Sequence, residues 1–92
     1  MTNIYKYEVR LGVTKLTMPL GADLLCVQMQ PSQGLFFLWA RIDTSEPLVE
    51  YIIRSYATGE EIPDDLDEQL VHISTTLTGQ YVWHFFEDIT PC

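Results

Sequence analysis

The stretch that decides the fold is LLCVQMQPSQGLFFLWARID, Leu24 to Asp43. In its first seven residues Leu25, Val27 and Met29 alternate with Cys26, Gln28 and Gln30. A period of two belongs to a strand, whose successive side chains point to opposite faces. Pro31-Ser32-Gln33-Gly34 then offers a four-residue turn, and LFFLWARID answers it as a second strand. The pair predicts a β-hairpin. Because LFFLWA is apolar at every position, its strand is expected to be central and covered on both faces.

The same rhythm extends in both directions. Toward the N-terminus, IYKYEVRL (4–11) sets Tyr5, Tyr7, Val9 and Leu11 against Ile4, Lys6, Glu8 and Arg10. Gly12 offers a turn, TKLTM resumes the strand pattern, and PLGAD breaks it. Toward the C-terminus, SEP precedes LVEYIIRSYAT, whose aromatic and β-branched residues favour a strand over the helix that Leu48, Tyr51, Ile52 and Ser55 would also fit. LVHISTTL and YVWHFF, joined by TGQ, predict a closing hairpin. Six or seven short strands separated by turn signals predict an all-β fold, a small antiparallel barrel or sandwich. The chain of 92 residues is read as one domain, 1–92.

Composition narrows the function. Hydrophobic residues make up 47% of the chain, enough for a core and against disorder. Thirteen acidic residues face five basic ones, for a net charge of −8. Lys6, Arg10, Lys15, Arg41 and Arg54 stand singly, so no basic stripe exists for phosphate contacts and direct nucleic-acid binding is not expected. Cys26 and Cys92 form no disulfide framework and read as free thiols of a reducing compartment. The N-terminus lacks a signal-peptide pattern, and no apolar run reaches the roughly 18 residues that span a membrane. A soluble, cytoplasmic protein without membrane contact is the expectation.

Six acids fill nine positions from Glu60 to Glu68: Glu60, Glu61, Asp64, Asp65, Asp67 and Glu68. This segment is expected as a solvated loop or short helical turn. It lacks a central Gly and a terminal Glu at the spacing of a calcium loop. Its functional reading is a mimic of nucleic-acid phosphate that docks the basic groove of a partner protein.

Several segments together, LTMPLGADLLCVQMQ, LWARID, YATGEEIPDD and GQYVWHFFE, carry a resemblance. The chain resembles a family of small uncharacterised proteins of bacteriophages and prophage regions. The shared features are Pro19, Gly21 and Ala22; Val27 and Gln28; Leu38, Trp39 and Ala40; Thr58, Gly59, Ile62 and Pro63; and Val82, Trp83 and His84. The resemblance covers about residues 4 to 87. It implies a compact β-rich fold and a phage setting inside a host cell, where small acidic proteins often blunt host defences. It supplies no mechanism.

His84 is the residue with most to explain, set between Trp83 and Phe85 in the most apolar late strand. It reads as a core-edge histidine or as a binding residue. If Leu77, Thr78 and Gly79 form the turn, His72 lies across from His84; if Thr78 and Gly79 form it, Ile73 does, and the histidines part. Two histidines without a third ligand make no metal site. His72-Ile73-Ser74 resembles half of the His-x-Ser/Thr pair of twin-histidine phosphoesterases, but His84-Phe85-Phe86 lacks the second hydroxyl. No nucleophile elbow, P-loop or dinucleotide fingerprint is present, so no enzyme and no cofactor are expected. The ligand- or partner-binding candidates are His84, Trp83, Tyr81, Trp39, Arg41, Arg54 and Tyr56, aromatic stacking surfaces with strand arginines beside them.

Three functions follow as expectations. The first is a non-enzymatic phage accessory protein that binds a host defence protein through its acidic face. The second is an oligomer that sequesters a small nucleotide signal. The third is a structural protein of the virion or its assembly. A homo-oligomer is expected, because so small a core leaves apolar surface to cover.

Overall fold

The structure, a computed structural model, describes residues 1–90; Cys92 lies outside the described residues. Seven strands follow in chain order: β1 (Thr2–Val9), β2 (Val13–Pro19), β3 (Asp23–Gln30), β4 (Leu35–Asp43), β5 (Leu48–Ala57), β6 (Leu70–Thr78) and β7 (Tyr81–Asp88). One short helix, α1 (Asp64–Asp67), stands between β5 and β6. Two antiparallel sheets result, β1-β4-β3 and β2-β5-β7-β6. Of the two architectures expected, the chain forms the sandwich, with sheets that do not close into a barrel.

Both predicted hairpins form. In β3–β4 the Gln30 carbonyl accepts the N–H groups of Gln33 (3.0 Å) and Gly34 (2.9 Å), which tightens the Pro31–Gly34 loop. In β6–β7 Thr78 pairs with Tyr81, so the turn is the two-residue Gly79–Gln80. Gly79 has φ of +59°, which a side-chain-bearing residue rarely adopts and a turn of this length needs at its first position.

Two faces of β4 meet different fates. Phe36, Leu38, Ala40 and Ile42 are buried between the sheets, where Val9, Met18, Val27, Ile53 and Phe85 join them. Phe37 and Trp39 point outward and are half-buried, and Arg41 is exposed. The strand is central, as expected, but protein covers one face alone. The other is shielded by Lys6 of β1, whose ammonium lies 4.5 Å from the Phe37 ring centre and 5.6 Å from that of Trp39.

A bulge corrects the expected alternation in β3. Leu24 pairs with Ala40 and Cys26 with Trp39, leaving Leu25 as the extra residue. Leu24 therefore packs against the core and Leu25 is exposed, while Val27 and Met29 face inward as expected.

The sheets are tied together along β3 and β6. The buried Val27 carbonyl, on the free edge of β3, accepts the hydroxyls of Ser74 (3.1 Å) and Thr76 (2.7 Å) from β6. A buried carbonyl without a partner costs about 1–3 kcal/mol, so the two hydroxyls guard one another. Thr76→Val alone is expected to cost about 1 kcal/mol, since Ser74 still serves the carbonyl. Ser74→Ala with Thr76→Val should cost more than the sum of the single changes. Urea unfolding of the four proteins checks this.

Candidate functional site

The outer face of the four-stranded sheet gathers the chemically useful side chains. Pairing sets them in rows: Tyr56, His84 and Thr75 in one; Arg54, Phe86 and His72 in the next; Ile52, Asp88 and Leu70 in a third. A second bulge makes this possible. His72 pairs with Phe86 and Ser74 with Phe85, so Ile73 is the extra residue and packs on the core. Neither expected hairpin register occurs. Thr75, not His72 or Ile73, faces His84, yet the bulge returns His72 to the same face as His84.

A hydrogen-bonded run connects the two histidines. His72 Nε2 lies 2.9 Å from Thr75 Oγ1, which lies 3.1 Å from His84 Nδ1. His84 Nε2 in turn lies 2.8 Å from Thr58 Oγ1. A hydroxyl has one hydrogen, so with both rings neutral Thr75 accepts from one imidazole and donates to the other. Both nitrogens of half-buried His84 are thereby occupied, which fixes its ring plane. The ring of Phe86 sits edge-on to His72 (5.5 Å) and to Tyr56 (6.1 Å). The result is an aromatic cluster of edge-on rings with a polar seam.

One ion pair closes the far end of this face. Arg54 Nε donates to Asp88 Oδ2 at 2.7 Å, with 25% of the Arg54 side chain and 2% of the Asp88 side chain exposed. Burial alone would raise the Asp88 pKa, but hydrogen bonds from Thr90 and Arg54 outweigh it and hold the carboxyl below its ordinary value. Neighbouring Glu87 has no such partners among the described residues, and burial pushes its pKa up.

The sequence candidates fall on separate surfaces. His84, Arg54 and Tyr56 share the face just described. Trp83 packs against the core from the inner side, with exposed Tyr81 stacked on it at 6.2 Å. Trp39 and Arg41 lie on the outer face of the other sheet, where Arg41 pairs with Asp23 at 2.7 Å. Glu60, Glu61, Asp64, Asp65, Asp67 and Glu68 are all exposed in the connection that carries α1. Glu60 also accepts the Ala57 N–H at 2.9 Å. Thr58, Thr75, Phe86 and Asp88 were missed as members of the face. Counting outward from a Gly79–Gln80 turn would have brought Thr75 opposite His84.

A family described as a domain of unknown function, DUF7352, matches residues 1–91. The chain belongs to this family. The DUF7352 chain matches no curated protein and no solved structure. Among its described residues no group of three or more His, Cys, Asp or Glu is placed to hold a metal ion. No helix among them is long and apolar enough to cross a membrane.

Proposed function

We propose that the chain is a non-enzymatic accessory protein that docks a basic surface of a partner protein through its acidic segment. In the phage setting that the resemblance suggests, the partner is a host defence protein of the bacterial cytoplasm. One observation carries this reading: the way charges are paired. Each arginine has a carboxylate of this chain beside it: Arg10 with Glu8 at 3.7 Å, Arg41 with Asp23, and Arg54 with Asp88. The exposed carboxylates from Glu60 to Glu68 have no ion-pair partner among the described residues. The surplus negative charge is thus concentrated where no cation among the described residues offsets it, which favours encounter with a cationic surface.

The second reading, sequestration of a nucleotide signal, draws support from Tyr56, Phe86, His72 and His84 sharing one face of the sheet. Against it, the arginine of that face is already engaged by Asp88.

The test is a variant with Glu61→Gln, Asp64→Asn, Asp65→Asn, Asp67→Asn and Glu68→Gln, sparing Glu60 for its bond to Ala57. Wild-type chain on a resin should retain a bacterial protein that elutes with rising salt, and the neutral variant should lose it. Expression of the wild type, and not of the variant, should raise phage plating on a defended host. Equal retention by a folded neutral variant would overturn the reading. Release of a small molecule on denaturing the purified protein would move the assignment to sequestration.

A further inference from the structure

The four edge strands of the sandwich are not equally protected. A free strand edge offers unpaired N–H and C=O groups to any passing strand, and proteins guard such edges with bulges, prolines or outward charges. Strand β3 has a bulge at Leu25, and its Val27 carbonyl is taken by Ser74 and Thr76. Strand β6 has a bulge at Ile73. Strand β2 ends in Pro19 and carries exposed Lys15. Strand β1 pairs with β4 without a break over all eight residues and contains no proline or glycine. Its one lysine, Lys6, lies over Phe37 and Trp39 of β4, away from the open edge. Beside that edge Ile4 is 61% and Tyr5 46% exposed.

We infer that β1 is the dimerisation edge: two copies pair antiparallel through it into a continuous six-stranded sheet. Backbone direction and charge together select one register. The Thr44 N–H donates to the Met1 carbonyl, so odd-numbered residues of β1 bond to β4. Even-numbered ones, Ile4, Lys6 and Glu8, therefore turn their backbone groups to the open edge. With Tyr7 on the two-fold axis, Lys6 stands opposite the partner's Glu8, and Glu8 opposite the partner's Lys6; to meet, the Lys6 ammonium swings off Phe37 and Trp39 and Glu8 exchanges exposed Arg10 for it. Shifting the axis to Lys6 sets lysine against lysine; shifting it to Glu8 sets glutamate against glutamate. Opposed like charges destabilise a strand pair and opposed unlike charges stabilise it, so the register centred on Tyr7 is preferred. The interface is isologous, as a two-fold dimer requires.

Sedimentation equilibrium of the full chain tests this through a charge swap. The wild type is expected to be a dimer at micromolar concentration. Lys6→Glu opposes two glutamates twice across the axis and should weaken the dimer about tenfold. Lys6→Glu with Glu8→Lys restores unlike pairs and should restore the dimer, which also shows that the altered strand folds. Hydrogen exchange gives a second readout: the amides of Lys6 and Glu8 should gain protection as concentration rises, whereas those bonded to β4 should not change. A wild type that stays monomeric at hundred-micromolar concentration overturns the proposal. So does a dimer that Lys6→Glu leaves unchanged, or one that the double variant fails to recover.

Discussion

Phe85→Ala is expected to remove about 3–5 kcal/mol of folding free energy, the largest loss from any single truncation in this chain. The side chain is fully buried, and its ring stacks tilted on Phe36 at 5.3 Å, across the two sheets. It sits on β7, which is flanked by β5 and β6 and cannot shift to fill the hole. Domains of this size are stable by only about 5–15 kcal/mol, so most of the margin goes. Chemical denaturation should show a lower midpoint with little change in slope. A loss below about 1 kcal/mol would mean that the sheets can collapse around the cavity.

Asp88→Ala comes second, at about 2–3 kcal/mol. The change leaves Arg54 without its partner and removes the acceptor of the Thr90 N–H. The loss stays below that of a fully buried pair because Arg54 is a quarter exposed and water replaces part of the contact. Its pH dependence has a definite sign. The folded pKa of Asp88 is lowered, so its contribution is present above the ordinary aspartate range and lost as pH falls through the folded value. Asp43, which hydrogen bonds from Ser45 and the N-terminal amine hold at about 2, adds a slope of the same sign. Glu87 acts oppositely: its raised pKa favours the folded state at low pH, and that contribution fades as pH rises through the folded value. Thermal unfolding from pH 7 to pH 2 should therefore show stability falling below about pH 4, the ordinary aspartate value. Asp88→Ala, less stable at neutral pH, should show a shallower fall.

Much of this fold was legible because local signals agreed. Pro31–Gly34 and Gly79 mark hairpins by turn chemistry alone, and the period of two grouped Val9 and Val27 with apolar neighbours on one face of their strands. Two things were hidden for a physical reason. A bulge adds a residue without any composition of its own, so Leu24 against Leu25, and the return of His72 to the face of His84, depend on pairing. Strand order was also out of reach: nothing near β1 announces β4, and nothing near β2 announces β5. The candidate site depended on both. Its histidine and arginine could be named from sequence, but the hydroxyls of Thr58 and Thr75 that link and orient the imidazoles could not.

That strand order has a consequence for how the chain acquires its shape. Only β3–β4 and β6–β7 can zip from adjacent turns, whereas Thr2 must find Asp43 and Val13 must find Arg54. Closing such long loops before any contact repays the lost entropy is slow, so folding should proceed in milliseconds to seconds rather than microseconds. During synthesis β1 and β2 emerge well before their partners, and the Phe36 ring waits for Phe85. The earliest strands to appear thus wait longest for a partner, and the nascent chain depends on chaperone shelter most at its N-terminal end.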